Sequence, residues 1–246
     1  MSDVHTYSSD VAFTPAVKAI QTRKGSRETY AHVEERGGWR SEIDENLAGF
    51  LAETNSFYLA TASVDGQPYV QHRGGPKGFI KVLDKNTIAF ADYSGNRQYI
   101  TQGNLSENPK AHIFAMDYAH RRRVKIWGEA RVVEDDPALT KALMPQGYKA
   151  RPEQVILFRI SAWDTNCPQH IPQKFDAADV AQALAVRDAR IVELEAELAA
   201  LQRQSAPATP WSRGLLHRRP GEFRIIQQHH PVDIGGEVGE LFRPLS

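Results

Sequence analysis

The chain has 246 residues, and its 30 Lys and Arg side chains balance 30 Asp and Glu side chains, so its formal net charge is zero. This balance gives no electrostatic reason to expect nucleic-acid or anionic-membrane partners. No apolar run approaches the ~18 residues of a membrane span, and the N-terminus lacks a secretory signal pattern. The single cysteine, Cys167, excludes an intrachain disulfide, and the nine scattered histidines form no metal-ligand pair. We therefore expect a cytoplasmic protein without a metal site.

The first part of the chain predicts helices. Residues 1–40 form a polar extension in which "PAVKAIQT", residues 15–22, predicts a short helix. A second helix is predicted over residues 41–53 with Ser41 as its N-cap. The apolar residues of that segment fall on one helical face: Ile43, Leu47, Phe50 and Leu51.

From residue 57 the apolar pattern changes to alternation, which is typical of strands. "FYLATASVDGQPYVQHRGG" predicts two strands around Asp65-Gly66, because this dipeptide readily adopts the positive dihedrals of a tight hairpin. "FIKVLDKNTIAFADY" repeats the pattern around residues 84–86, and a helix over residues 96–106 follows. "KAHIFAMDY", "RRVKIWGEARVVED" and "EQVILFRISAWDT" predict further strands, with a short helix at residues 137–143. The fold class is therefore mainly β with flanking helices, a small six- or seven-stranded antiparallel barrel.

The C-terminal part predicts a long helix over residues 176–204, whose apolar residues recur mostly at spacings of three and four. Packing on its own barrel and a short coiled coil are both open for this helix. Residues 205–246 are interpreted as a linker and a disordered tail. The predicted organisation is an extension (1–40), a barrel domain (41–175), the helix (176–204) and the tail (205–246).

The strongest candidate site is "FADYSGNRQYITQGNLSENP", residues 90–109, where a strand runs into a predicted helix. A cation in the first helical turn, such as Arg97, is unfavourable by up to ~1 kcal/mol because the helix dipole is positive there. An anion would reverse this, since helix-start amides are free, Gly95 permits close approach, and an Arg fork holds two phosphate oxygens. Taken alone, a solvated Arg97 is the alternative.

A second irregular segment, "QHRGGPKGF", places Arg73 and Lys77 between one strand and the next. The Gly-Gly-Pro at residues 74–76 interrupts the strand pattern, and glycine inside a strand often marks a bulge or a nearby ligand. An ordinary turn with solvated basic flanks is the alternative. Two such interruptions on neighbouring strands, both carrying cations, predict one bound anion.

The order of these segments resembles the FMN-binding split barrel of the pyridoxamine 5'-phosphate oxidase-like proteins. The resemblance extends over about residues 13–175 and is most specific in "GNRQYITQGNL" and "WDTNCPQHIPQKF". It implies an FMN cofactor, a homodimer with flavin at the subunit interface, and oxidoreductase activity on a small-molecule substrate, with NAD(P)H as a candidate redox partner. A flavin-binding protein without turnover of its own, such as a sensor, store or accessory subunit, is the alternative. Tyr93, Trp127 and Trp163 are candidates for ring stacking or for ordinary packing.

The resemblance also implies roles position by position. Asn96, Arg97 and Gln98 would bind the flavin phosphate, although the family has lysine where this chain has Gln98. Lys77 matches a strand lysine that approaches the flavin, and Asn104 matches a helix residue that reaches flavin bound by the partner subunit. Four consecutive residues would line the ring edge: Gln71, His72, Arg73 and Gly74. In the family an arginine stands at the position of His72.

Two further segments supply candidates to bind substrate or cover the flavin. "MPQGYKARPEQ" is similar to the oxidase segment that binds a substrate phosphate, which nominates Tyr148 and Arg151, although they are three rather than four residues apart. Cys167, Gln169 and His170 are candidates to close over the flavin, with a structural strap across the dimer as the alternative. The oxidase's substrate-binding Arg-x-His is absent, so pyridoxamine phosphate oxidation itself is in doubt.

Overall fold

The computed structural model describes residues 7–165 and 168–205 and shows a mainly β fold with flanking helices. Its elements in chain order are a 3₁₀ helix Ser8–Val11, α1 Pro15–Lys24, α2 Arg27–Glu35, α3 Glu45–Glu53, β1 Ser56–Ala62, β2 Pro68–Gly74, β3 Lys81–Val82, β4 Thr87–Tyr93, α4 Ile100–Glu107, β5 Lys110–Asp117, β6 Arg122–Val133, α5 Pro137–Leu143, β7 Pro152–Thr165 and α6 Ala177–Ser205.

The strands form one seven-stranded antiparallel sheet in the order β2-β1-β5-β6-β7-β4-β3. β1 and β2 are joined by a tight turn in which Gly66 has a φ of 85°, as its Asp-Gly sequence predicts. Among the described strands, no backbone ladder joins β2 to β3 or β4. The sheet is therefore a split barrel that opens between these strands, which confirms the predicted fold class.

The core lies within the sheet and against α3. The Phe57 ring of β1 lies 5.8 Å from the Phe79 ring and 5.1 Å from the Phe90 ring of β4, measured between centroids. Leu47 and Leu51 of α3 belong to the same buried cluster. Burying one side chain of this size stabilises a fold by about 1.5–3 kcal/mol, so this cluster fixes α3 on the sheet.

The start of α3 differs from the prediction. The helix begins at Glu45, because the carboxylate of Asp44 accepts a hydrogen bond from the Leu47 amide at 2.9 Å and caps the first turn. The prediction of Ser41 as N-cap is therefore wrong. Asp44 also accepts from Arg40 at 2.7 Å, which gives the carboxylate a second role.

The N-terminal segment contains the predicted helix as α1 and a second helix, α2, that the sequence pattern did not indicate. Lys18 of α1 lies 3.1 Å from the buried carboxylate of Glu34 on α2, which also pairs with Arg27. These ion pairs therefore tie α2 to α1, and the Tyr30 ring of α2 also packs edge-on against Phe13 at 5.1 Å. The segment reaches the sheet through Trp39, whose ring stacks on Trp127 of β6 at 4.6 Å.

The long C-terminal helix is confirmed as α6. The chain separates into two compact units, residues 1–187 and 188–246, and α6 supplies residues 188–205 of the second. The predicted boundaries at residues 40, 175 and 204 stay predictions, and the predicted tail lies, beyond residue 205, outside the described residues. Within the described part of the chain, no helix is both long and apolar enough to cross a membrane.

Gly128 offers a test of the sheet packing, because it lies at a bulge in β6 where β7 passes closely. A Cβ at this position would clash with the carbonyl oxygen of Arg159 and lie 2.6 Å from Cε1 of Phe158. We expect Gly128→Ala to lower the free energy of unfolding by roughly 1–3 kcal/mol, the usual cost of overpacking, measured by urea denaturation. The matched control is Gly49→Ala in α3, where a Cβ meets nothing within 4 Å. The control should raise stability by up to ~1 kcal/mol, and equal effects of the two changes would contradict this account.

Candidate functional site

The candidate site is a pocket of about 50 Å³ at the opening of the split barrel. β2, β4, β7 and the loop before α4 all contribute side chains to it. Its lining residues are Gln71, Arg73, Asp92, Tyr93, Gly95, Asn96, Arg97, Gln98, Tyr99, Thr101, Gln102, Glu153 and Gln154. The pocket therefore brings Gln71 and Arg73 of the second irregular segment to the loop of the first, whereas the Gly-Gly-Pro at residues 74–76 and Lys77 do not line it.

A buried ion pair forms one wall of the pocket. Nη1 of Arg73 on β2 donates a hydrogen bond to Oδ1 of Asp92 on β4, and Nε2 of Gln154 on β7 donates to Oδ2 at 2.9 Å. The side chains of Arg73 and Asp92 are only 12% and 10% exposed. This network bridges β2 and β4, which no backbone ladder joins among the described strands.

Burial sets the electrostatics of this wall. Burial raises the pKa of Asp92 above its ordinary value, against the opposing effects of the Arg73 charge and the Gln154 hydrogen bond. Because an isolated buried charge is costly, these two partners favour the ionised form of the carboxyl. Loss of either partner would therefore raise the pKa of Asp92 further.

Two buried polar atoms at the pocket have no hydrogen-bond partner among the described residues. They are Nε of Arg73 and the hydroxyl oxygen of Tyr93. Burial raises the pKa of Tyr93, and so to a lesser degree does Tyr148, whose ring meets the Tyr93 ring edge-on at 5.3 Å. Buried polar groups are normally satisfied, so these two atoms lack the partners that such groups usually have.

Successive side chains of β2 point to opposite faces of the sheet, so the residues predicted to line a flavin ring edge do not all face the pocket. Gln71 and Arg73 face the pocket, and the hydroxyl of Thr101 on α4 donates to Oε1 of Gln71 at 2.9 Å. His72 points the other way, is exposed, and packs its ring edge-on against Tyr58 at 5.7 Å. Gly74 ends β2 and does not line the pocket. Of the four residues predicted to line a flavin ring edge, the structure thus brings two to the pocket.

The loop before α4 is not helical, contrary to the sequence prediction. α4 begins at Ile100 rather than at residue 96, because Arg97 and Tyr99 have left-handed φ values of 61° and 53° that an α-helix cannot contain. Such conformations cost about 1–3 kcal/mol per residue and concentrate at binding sites. Asn96, Arg97 and Gln98 therefore line the pocket from a strained loop.

The helix start that follows the loop has free donors. Tyr99 stands at the N-cap and provides no side-chain hydrogen bond, so the first backbone amides of α4 lack that partner. Arg97 precedes this helix start in the chain, and its side chain is 70% exposed. The Nε atom of Arg97 lies 4.0 Å from the Glu153 carboxylate. Nε of Arg97 donates to the Tyr99 hydroxyl at 2.8 Å, and this bond raises the pKa of the guanidinium.

Lys77 and Asn104 do not reach the pocket. Lys77 lies 3.3 Å from the Glu53 carboxylate in a separate cavity of about 370 Å³, and the hydrogen bond to Glu53 raises its pKa. The amide of Asn104 donates to the Thr61 hydroxyl at 3.0 Å and ties α4 to β1.

The candidates for substrate binding are divided. Arg151 lines an open groove of about 750 Å³ that borders the pocket and shares Tyr99 and Glu153 with it. Tyr148 is engaged with Tyr93. Gln169 and His170, which follow β7, are exposed and line neither the pocket nor the groove. Cys167 lies outside the described residues.

Sequence reasoning missed several pocket residues, of which Asp92 is the clearest. An acidic residue inside the apolar run "TIAFADY" was the available signal, because a buried carboxylate needs a partner. Gln154, Thr101 and Gln102 carried no comparable signal. Of the aromatic candidates, Tyr93 alone lines the pocket, whereas Trp127 stacks on Trp39 and Trp163 donates its indole N–H to the Glu42 carbonyl at 2.9 Å.

Within residues 7–165 and 168–205, no group of three or more His, Cys, Asp or Glu side chains has a geometry that could hold a metal ion. The pocket lining includes the guanidinium groups of Arg73 and Arg97 together with the carboxylates of Asp92 and Glu153, so it carries both signs of charge.

Comparison with models of known protein families identifies the family of this chain. The family model described as "Pyridoxamine 5'-phosphate oxidase" matches residues 43–167, which include β1 to β7 and the whole pocket. The chain belongs to this family. The match confirms the resemblance inferred from the motifs, and no protein of curated function matches the chain.

Solved structures similar to this oxidase-family chain include HupZ of Group A Streptococcus, with 18% identity over 54% of this chain and 99% of that one, at a TM-score of 0.41. An FMN-binding protein of Syntrophomonas wolfei has 10% identity over 59% of this chain and 97% of that one, at a TM-score of 0.36. HutZ, a heme storage protein of Vibrio cholerae, has 18% identity over 49% of this chain and 89% of that one, at a TM-score of 0.33.

The ion pair can be tested by a double-mutant cycle. We expect Asp92→Asn to lower the free energy of unfolding by roughly 3 kcal/mol, because it leaves the Arg73 charge buried without a carboxylate. Adding Arg73→Met should restore part of this loss, since it removes the orphaned charge. Urea denaturation of the three variants measures both effects.

The control is Lys85→Gln, which breaks the exposed Lys85–Glu42 pair. A surface pair of this kind contributes at most ~1 kcal/mol, so the control should be nearly neutral. Strict additivity of the Asp92 and Arg73 changes would contradict the bridge across the split.

Proposed function

We propose that the chain binds FMN at the pocket of the split barrel and works as an FMN-dependent oxidoreductase. The observation that carries the proposal is the pair of unsatisfied buried polar atoms, Arg73 Nε and Tyr93 Oη, in a pocket that also has a cationic loop at a helix start. Membership of the oxidase family supports it. The proposal also includes Gln71, Asn96 and Gln98 as cofactor contacts.

The loop end of the pocket fits the phosphate of FMN. A phosphate monoester carries a charge of about −1.5 to −2 at neutral pH and accepts several hydrogen bonds. The amides at the start of α4 and the guanidinium of Arg97 are donors of the required kind. Strained backbone concentrates at binding sites, so the left-handed conformations of Arg97 and Tyr99 support the assignment of this loop.

The wall formed by Arg73 and Tyr93 fits the polar edge of the flavin ring. When bound, flavin supplies the redox chemistry by accepting and returning electrons, and the protein orients it and tunes it by hydrogen bonds. In this chain, Arg73 and Tyr93 would donate to the ring edge, and Asp92 would hold the guanidinium in place. A cation at this edge would favour negative charge on the bound ring.

A homodimer completes the proposal. The pocket of one chain holds about 50 Å³, less than the ~300–1,000 Å³ of a typical ligand site, and the groove of about 750 Å³ that borders it is open. A partner subunit would cover the rest, as the family resemblance implies. Lys77 and Asn104, which do not reach the pocket of their own chain, are candidates for this role.

The substrate is proposed to enter through the groove beside the pocket. Its lining combines the Arg151 guanidinium with the carboxylates of Glu134 and Glu153, so a small polar substrate with groups of both signs is the best fit. NAD(P)H remains the candidate redox partner. We propose no nucleic-acid partner, because the net charge is zero.

A flavin-binding protein without turnover is the second candidate. Two observations favour it: the sequence has no Arg-x-His, and Tyr148 packs on Tyr93 instead of facing the groove. Anaerobic mixing of purified flavin-loaded protein with NADPH or NADH separates the two candidates. An oxidoreductase should lose its flavin absorbance within the time of a turnover and regain it when an acceptor is added. Flavin that stays oxidised with both nucleotides would favour storage or sensing.

Flavin binding itself is tested by the absorbance spectrum of the purified protein and by mass spectrometry of the compound released on heating. We expect Arg97→Ala to weaken FMN binding roughly 10- to 100-fold, because a hydrogen bond to a charged group contributes about 1.5–3 kcal/mol. The variant should remain folded, since Arg97 is exposed. Unchanged FMN affinity in Arg97→Ala would contradict the phosphate assignment.

Lys85→Ala is the matched control, because it also removes one exposed cation, and Lys85 belongs to no part of the proposed site. This change should leave the FMN affinity within about twofold.

Lys77→Ala tests the proposed contact with a partner subunit's flavin, since Lys77 lies in a different cavity of its own chain. A loss of affinity equal to that of Arg97→Ala would support this contact, and an affinity within about twofold of the unchanged protein would contradict it.

A further inference from the structure

The helix α6 carries a seam of apolar residues with heptad spacing. When Leu184 is assigned to position a, Ile191 and Leu198 also occupy a, and the d positions are Val180, Arg187, Leu194 and Leu201. Every apolar residue of this seam is exposed, from 43% for Val180 to 61% for Leu201. Alternating steps of three and four keep a seam on one side of a helix over several turns, which is the pattern of a coiled coil.

We propose that α6 pairs with α6 of a second copy of this chain as a parallel, in-register, two-stranded coiled coil. This interaction surface is separate from the flavin pocket and does not depend on FMN binding. Four heptads are marginal for an isolated pair of helices. A homodimer formed through the barrels would raise the effective concentration of the two helices and stabilise the pairing.

Charge complementarity determines the orientation. Arg190 occupies position g, and Glu195 occupies position e of the next heptad. In a parallel pair these positions of the two chains lie next to each other, so each Arg190 meets the Glu195 of the partner at the edge of the seam. An antiparallel pair would set e positions against each other, and these include the acidic Asp188 and Glu195.

Within one chain, Arg190 has weaker alternatives. It lies 2.8 Å from the Glu193 carboxylate and 3.7 Å from that of Glu197, and all three side chains are more than half exposed. Exposed helical pairs of this kind contribute only about 0.3–0.5 kcal/mol. They therefore offer little resistance to a change of partner when a second helix arrives.

One heptad of the seam has the composition of a two-stranded coiled coil. Ile191 at position a followed by Leu194 at position d is the combination that favours parallel dimers, whereas the other a positions, 184 and 198, are leucines. Arg187 at a d position interrupts the apolar seam. A charged side chain in the seam lowers stability, but it also disfavours assemblies that would bury that position more completely.

Cysteine cross-linking of the full-length chain tests the pairing. In a Cys167→Ser background, we expect Leu194→Cys to form a disulfide-linked dimer under mild oxidation, because equivalent d residues of a parallel in-register pair face each other at disulfide distance. The matched control is Val192→Cys, also exposed and only two residues away, but at position b on the outer side. The yield of dimer should be at least about tenfold higher for Leu194→Cys.

The outcomes separate the alternatives. Equal yields for the two cysteines would overturn the proposal, as would the absence of cross-linking for Leu194→Cys. The second result is expected if α6 packs on its own barrel or pairs in the antiparallel direction. FMN content of the same samples reports on the flavin proposal separately, so failure of one proposal is distinguishable from failure of the other.

A charge exchange supplies an independent readout of orientation. Arg190→Glu should reduce the Leu194→Cys cross-linking yield, because it places Glu against the partner's acidic position, and adding Glu195→Arg should restore the yield. Positions 190 and 195 are five residues apart and do not face each other on one helix, so restoration reports contact between chains. A double variant no better than Arg190→Glu alone would overturn the parallel arrangement.

Discussion

The ion pair between Arg73 and Asp92 joins two strands of the barrel that share no backbone ladder among the described strands. At this opening a side-chain bridge takes the place of sheet hydrogen bonds. Gln154 adds a third strand to the bridge through the second oxygen of Asp92. Because all partners are largely buried, the bridge is strong only while it is complete, and its geometry fixes the side of the pocket that faces a ligand.

The opposite side of the pocket is fixed by α4. Thr101 ties the helix to β2 through Gln71, and Asn104 ties it to β1 through Thr61. These two hydrogen bonds hold the helix against β2 and β1, and the loop that carries Arg97 lines the pocket directly before it.

Cations that look equivalent in the sequence belong to different places in the fold. Arg73 and Arg97 line one pocket, whereas Lys77 faces Glu53 in another cavity. α6 carries its own surface, which the inference of a coiled coil assigns to a second copy of the chain. If the flavin site and the α6 coiled coil both form as proposed, one homodimer completes the flavin site and also pairs the two α6 helices.

By itself, the sequence determined the strands, the Asp65-Gly66 hairpin, α5 and the family, because alternation, turn chemistry and short motifs are local signals. It also nominated Gln71, Arg73, Asn96, Arg97 and Gln98, which line one pocket in the structure. Only the tertiary structure decided that Asp92 pairs with Arg73, 19 residues away, and that Lys77 stands apart. It also decided that left-handed backbone delays the start of α4. These features arise from contacts between distant segments, and local propensity contains no information about which distant side chains will meet.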